Sequence, residues 1–80
     1  MDFKQKYLLA KANNLVERFR SDEISARIAK KYPLSDQIAL LMDKELKYTE
    51  WIEYQSFRAQ VKLELDNEIN IIEMEINHGT

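Results

Sequence analysis

The sequence predicts an all-α fold of three to four helices, and three observations carry that prediction. Glycine and proline occur once each in 80 residues, against usual frequencies of about 7% and about 5%. A β-rich domain of this size would need more turn residues. Apolar residues recur at steps of three and four along most of the chain, which is the spacing of one helical face. The single proline, Pro33, separates two of these apolar stretches.

The N-terminal stretch predicts a helix over about 3–20. Asp2 can cap this helix. Its apolar stripe comprises Leu8, Ala12, Leu15 and Phe19. The stripe slips in phase at Ser21, where a serine followed by two acidic residues can start a new helix. We therefore predict a second helix over about 22–31, with one helix running continuously through Ser21 as the alternative.

Pro33 should produce a kink in the middle of the chain. A residue that precedes proline disfavours helical geometry, so the second helix should end at about Lys31. Ser35 can cap a third helix, which we predict over about 36–46. Its apolar face is broad and includes Ile38, Ala39, Leu40, Leu41, Met42 and Leu46.

The fourth predicted helix is the longest, over about 49–77, with Thr49 as its cap. Its apolar stripe has a mean spacing near 3.67 residues, the eleven-residue period. At about 1.5 Å per residue it would be roughly 43 Å long. We expect it to fold back on the third helix as a helical hairpin or coiled-coil-like pair, with an overhanging end. The alternative is a strand over residues 69–76, where apolar and polar residues alternate, and such a strand could add to a partner's sheet edge.

Size and composition point to a single domain, residues 1–80, that needs reinforcement. A chain this short buries only about 60% of the surface that it exposes when unfolded. It has no cysteine, so disulfides and thiolate metal sites are excluded and a partner or self-association is expected. The net charge of −2 argues against non-specific binding to nucleic acid or anionic membranes. No apolar run approaches the roughly 18 residues of a membrane span, so we predict a soluble protein with no membrane partner.

No residue set in the sequence forms a catalytic, cofactor or metal motif. The four serines lack an activating partner, and the single histidine, His78, is three residues from the end. We therefore predict no enzymatic activity, no cofactor and no metal. An acidic series near the C-terminus is interpreted as a solvated face or as the complement of a basic partner; it comprises Glu64, Asp66, Glu68, Glu73 and Glu75.

The predicted partner-binding residues lie along the last helix. They are Trp51, Tyr54, Phe57, Val61, Leu65, Ile69, Ile72 and Ile76. An exposed apolar stripe marks a partner surface, and aromatic residues are frequent interface anchors, although the same aromatics could equally pack in a core. The partner would be a second copy of this chain or another protein. The alternative function is a helix-turn-helix regulator with its turn at Pro33, which the mostly acidic third helix disfavours.

Residues 32–64 also carry a recurring pattern of capping and packing residues. It reads Tyr32, Leu34-Ser35-Asp36, Ile38-Ala39, and then Lys47, Glu50, Trp51 and Tyr54. This pattern resembles small uncharacterised proteins encoded by bacteriophages and prophages of gut bacteria. The chain departs from that pattern at Pro33, Tyr48 and Thr49.

The resemblance implies a helical phage protein without a known activity. Combined with the predicted partner surface, it suggests an accessory or assembly protein. Such a protein would be a virion or tail component, or an inhibitor of a host protein. We therefore expect it in the host cytoplasm or in the virion.

Overall fold

The computed structural model describes residues 1–78, which form four helices and no strand. The helices are α1 (Phe3–Ala12), α2 (Val16–Lys31), α3 (Leu34–Met42) and α4 (Tyr48–His78). The all-α prediction is confirmed, including the long C-terminal helix. The alternative of a strand over residues 69–76 is wrong, because this segment continues α4 without interruption.

The first boundary between helices lies at Asn13–Leu15, not at Ser21 as predicted. Asn14 has a φ of 58°, the left-handed conformation that asparagine tolerates after a helix end. The amide of Leu15 donates to the carbonyl oxygen of Ala10 over 2.8 Å, which closes the last turn of α1. α2 then continues through Ser21, so the predicted helix over 3–20 is wrong at its C-terminal end.

A local cap fixes the start of α1, and aromatic packing holds α1 against α2. Asp2 caps α1 as predicted: its carboxylate accepts from the amide of Gln5 over 2.8 Å, and its own amide donates to the Gln5 side chain over 3.2 Å. The ring of Phe19 lies 5.5 Å from that of Phe3 and 5.9 Å from that of Tyr7. In one straight helix Phe19 could not contact Phe3 or Tyr7, because the rise of about 1.5 Å per residue would hold the rings too far apart along the helix axis.

The kink at Pro33 and the end of α2 at Lys31 are confirmed. Tyr32 is extended, with φ −124° and ψ 92°, as expected before a proline. Pro33 itself, rather than Ser35, occupies the N-cap position of α3, and no side chain caps this helix. α3 ends at Met42, four residues earlier than predicted, and a hydrogen-bonded turn over residues 43–47 leads into α4.

Three short helices line one long side of α4. This helix of 31 residues is about 46 Å long at 1.5 Å per residue. α3 packs at its N-terminal end, α2 along its middle and α1 near its C-terminal end. The molecule therefore measures 54 × 19 × 18 Å, with a radius of gyration of 15.7 Å, against about 12 Å for a compact chain of this length.

The expected overhang of α4 is wrong. α1 and α2 cover its C-terminal half, where Leu65 is fully buried and Ile72 is buried. The main core cluster lies nearer to the other end and joins α2, α3 and α4. Its buried members are Ile28, Leu40, Tyr54 and Val61. Burial of these side chains drives the packing, because each fully buried aliphatic side chain stabilises the fold by about 1.5–3 kcal/mol.

Candidate protein-interaction groove

The predicted partner-binding residues of α4 mostly face the chain's own helices. Four are buried: Tyr54, Val61, Leu65 and Ile72. The other four, Trp51, Phe57, Ile69 and Ile76, are half-buried. Trp51 and Phe57 pack against the core cluster. The apolar stripe that the sequence analysis singled out is therefore covered within the chain along most of its length, and only its N-terminal end adjoins an open groove.

This groove runs along one edge of α4, between α4 on one side and α2 and α3 on the other. We call it the lateral groove. Its α2 section has a volume of about 700 Å³ and its α3 section about 230 Å³. Both sections are lined by Leu34, Gln37, Tyr54 and Arg58, so they are continuous.

The α2 wall of the lateral groove contains a row of small side chains beside larger ones such as Arg20 and Ile24. Ser21, Ser25 and Ala29 line it, and their spacing of four residues places them on one face of α2. Side chains of this size leave space beside α4 that larger residues would fill. The sequence shows this spacing, but it does not show that α4 lies beside it.

The α3 wall is apolar and exposed. Leu34, Ile38 and Leu41 lie on one face of α3, and they are 69%, 49% and 57% exposed. All three line the α3 section of the groove. Only Leu40 of α3 is buried. The broad apolar face of α3 was visible in the sequence, but one short helix packed on α4 can bury only a part of it, and the remainder faces solvent.

Two aromatic rings of α4 form the floor of the α3 section. The centroids of Trp51 and Tyr54 lie 5.9 Å apart. The Tyr54 hydroxyl donates to the side-chain oxygen of Gln37 over 2.7 Å, and the Gln37 amide donates to the carbonyl oxygen of Tyr32 over 2.7 Å. Through Gln37, these two hydrogen bonds fix the position of the Tyr54 ring relative to the kink at Pro33.

Cations surround this apolar floor. The guanidinium of Arg58 lies 5.7 Å from the centroid of the Tyr54 ring, and the ammonium of Lys44 lies 5.8 Å from that of Trp51. Arg20 and Lys62 line the α2 section, together with the acidic Glu17. Among the residues that line the α3 section, none is acidic. The α3 section therefore combines apolar side chains with positive charge, which suits an amphipathic segment with acidic flanks.

A polar cluster joins α1 to α4 at the other end of the molecule. The Tyr7 hydroxyl donates to a carboxylate oxygen of Glu73, and the Lys11 ammonium lies 2.6 Å from the other. Burial, with the hydrogen bond to Glu73, raises the pKa of Tyr7 to about 12. The hydrogen bonds from Lys11 and then from Tyr7 lower the pKa of Glu73. The cluster holds α1 on α4.

Two further ion pairs join the short helices to α4, one from α1 and one from α2. Lys4 contacts Glu75 over 2.7 Å, and the hydrogen bond between them raises the pKa of Lys4. Arg20 contacts Asp66 over 2.6 Å. The acidic series of α4, interpreted from the sequence as a solvated face or the complement of a basic partner, therefore pairs in large part with cations of the same chain.

Arg27 of α2 pairs with both Glu68 and Glu23. The hydrogen bond to Glu68 is the largest cause of the raised pKa of Arg27. Its guanidinium also lies 5.4 Å from the centroid of the Phe3 ring, so this one side chain contacts three of the four helices.

The residues of the phage-type pattern lie around α3, on both of its sides. Tyr32, Asp36, Ala39, Lys47 and Glu50 line a cavity of about 270 Å³ on the side away from the lateral groove. Leu34, Ile38, Trp51 and Tyr54 line the lateral groove. α3 has one charged residue, Asp36, so the helix offers no cation to a nucleic-acid phosphate or base edge.

Within residues 1–78, no three histidine or acidic side chains are grouped so that they could hold a metal ion. None of the helices described in that range has the length and apolar character of a membrane span. Comparison with models of protein families, with curated proteins and with solved structures found no match.

Proposed function

We propose that this chain is a non-enzymatic protein-interaction module whose lateral groove binds an amphipathic helix of another protein. The observation that carries the proposal is the row Leu34, Ile38 and Leu41, exposed beside the aromatic floor of the groove. Docking of an amphipathic helix in an apolar groove is a recurrent mode of peptide recognition. Exposed apolar clusters of this kind are uncommon on proteins that act alone.

The dimensions and charge of the groove define its ligand. From Trp51 to Lys62 the α4 edge is about 17 Å long at 1.5 Å per residue, which matches three turns of a bound helix. Arg58 and Lys62 provide positive charge along this edge, and Lys44, in the turn before α4, does so beside the Trp51 ring. The ligand is thus an apolar helical stripe of three turns with acidic residues beside it.

A designed peptide tests this specificity directly. The probe is a twelve-residue helix with leucines on one face and glutamates beside them, and its matched control carries lysines in place of the glutamates. Trp51 is the only tryptophan and lines the groove, so its fluorescence reports binding. We expect the acidic peptide to bind at least about tenfold more tightly than the basic one, a difference of 1.4 kcal/mol. Equal binding of both peptides, or none, would contradict the proposal.

Two variants distinguish binding in the lateral groove from non-specific binding of the peptide to the protein surface. Ile38→Asp places a charge in the α3 wall, and we expect it to abolish binding of the acidic peptide. Leu46→Asp makes the same kind of change at a residue that is 88% exposed and lies in the turn before α4. We expect this control to bind like the unmodified chain.

The phage-type role suggested by the pattern of residues 32–64 is part of the same proposal. The chain would act as an accessory or assembly protein, either as a virion or tail component or as an inhibitor of a host protein. Mass spectrometry of purified particles from a phage that encodes it would detect a virion component. Its absence from particles, together with a complex with a host protein that Ile38→Asp abolishes, would assign the inhibitor role.

A further inference from the structure

The side of α4 that faces away from the other three helices is also apolar. Ile52, Leu63 and Met74 lie on it at equal steps of eleven residues, and they are 45%, 62% and 59% exposed. Eleven residues make almost three whole turns of an α-helix, so the three side chains form a line nearly parallel to the helix axis. We call this line and the residues between its members the outer stripe.

The outer stripe carries no charge between its three apolar residues. Its intervening members are Ser56, Ala59, Asn67 and Asn70, and all four are exposed. The chain is 32% charged, and an ordinary solvated helix face would hold several ionised residues. An uncharged face about 33 Å long from Ile52 to Met74, at 1.5 Å per residue, is instead typical of a surface that packs against another helix.

We propose that the outer stripe packs against the outer stripe of a second copy of this chain, with the two α4 helices antiparallel and crossing at Leu63. In this register Leu63 meets the second copy's Leu63, and Ile52 meets its Met74. Ala59 then lies opposite the second copy's Asn67, and Ser56 opposite its Asn70. In both of these last pairs a small residue faces a larger one, so the interface would pack without large gaps. This inference concerns a different surface from the lateral groove and is independent of the proposed function.

A parallel arrangement of the same helices fits less well. It would set Ser56 and Ala59 against their own copies and leave gaps, and it would crowd Asn67 and Asn70 against theirs. The helix dipoles of two long parallel neighbours also repel, whereas those of antiparallel neighbours attract. Asparagine in a helix interface commonly selects one register, and here both asparagines find a small partner only in the antiparallel one.

One edge of the outer stripe brings opposite charges together in the same register. On one edge, Lys62 approaches the second copy's Asp66. On the other, Gln60 approaches its Glu64, and Gln60 already donates to Glu64 of its own chain over 3.0 Å. Each contact occurs twice, because the arrangement is two-fold symmetric.

The size of the contact sets the expected affinity. A single helix face of this length, about 10–12 Å across, falls below the roughly 800 Å² that each partner buries in a standard stable interface. The dimer should therefore dissociate in the micromolar range or above. We expect light scattering to record a rising mass between about 10 µM and about 1 mM.

Cysteine cross-linking tests both the dimer and its register, since the chain has no cysteine of its own. Leu63→Cys, Ile52→Cys and Met74→Cys are made separately in the full chain and treated with a short bismaleimide. We expect Leu63→Cys to cross-link with itself. Ile52→Cys and Met74→Cys should cross-link when mixed but not alone. Self-linking of all three to the same extent would indicate a parallel pair and would overturn the proposal.

Leu63→Glu is the matching disruption, because it opposes two glutamates at the crossing point. We expect it to remain monomeric at every concentration, with unchanged helicity by circular dichroism, while Leu46→Glu, the control in the exposed turn, still dimerises. A mass that stays monomeric for the unmodified chain up to about 1 mM would overturn the inference. Binding of the acidic peptide in the lateral groove is measured on the same proteins, so either surface can fail without the other.

Discussion

The covered and the outer side of α4 are both apolar, yet they have opposite environments. Val61, Leu65 and Ile72 are buried beneath the other three helices, whereas Leu63 and Met74 face solvent. Large apolar residues are denser on the covered side, where they recur every three or four residues, than on the outer side, where they recur every eleven.

Charge also differs between the two sides. α4 is acidic overall, and cations of α1 and α2 reach its carboxylates. The pairs that join the helices are Lys4–Glu75, Lys11–Glu73, Arg20–Asp66 and Arg27–Glu68. Exposed pairs of this kind each stabilise the fold little. All four join α4 to α1 or α2 and none involves a residue of the outer stripe, so they add to the packing of the covered side.

The largest expected effect is the difference between alanine substitutions at two leucines of α4, one on the covered side and one on the outer side. Leu65→Ala should lower the free energy of unfolding by about 2–5 kcal/mol, because it leaves a cavity in the covered side. Leu63→Ala should change it by less than about 0.5 kcal/mol. Urea denaturation, at a concentration where the chain is monomeric, measures both. Equal losses for the two variants would mean that the outer stripe is buried in the folded monomer.

Tyr7→Phe should have a smaller effect on the covered side. At neutral pH it removes one hydrogen bond to Glu73, worth about 1 kcal/mol. The pKa of Tyr7 is raised from 10.0 to about 12 by burial, so its contribution is complete below pH 10 and is lost as the pH rises toward 12. The unmodified chain should therefore lose stability relative to Tyr7→Phe as the pH rises through this window. Parallel stability curves for the two proteins from pH 9 to pH 12 would contradict this assignment.

The smallest effect is expected for Glu73→Gln. The variant keeps an oxygen that can accept from Tyr7, but it loses the charge that faces Lys11. Because the pKa of Glu73 is lowered from 4.5, its charge stabilises the fold above that value and the benefit is lost as the pH falls through the lowered pKa. We expect the thermal midpoint of the variant to lie below that of the unmodified chain at pH 7 and to converge with it at acid pH. A difference that persists unchanged below pH 3 would indicate a packing defect instead.

Much of the local structure could be predicted from the sequence. The cap at Asp2, the end of α2 before Pro33 and the length of α4 all depend on neighbouring residues. The turn at Asn13–Leu15 was missed, since the apolar spacing continues through it and Asn14 is the only signal of a left-handed residue there. Of the residues predicted to bind a partner, Trp51 and Tyr54 line the lateral groove, and the exposure of its α3 wall was not foreseen.

By itself, the sequence determined that the chain is helical, where its proline interrupts it, and that its last helix is long, because hydrogen bonding, capping and side-chain spacing act over a few residues. The tertiary structure alone decided that the apolar stripe of α4 is covered within the chain. The covering depends on contacts such as that of Lys4 with Glu75, which are 71 residues apart. The spacing of apolar residues placed Leu65 on the predicted stripe and Leu63 off it, but burial is a property of the whole packed chain, so no local pattern could show that the other helices would cover that stripe.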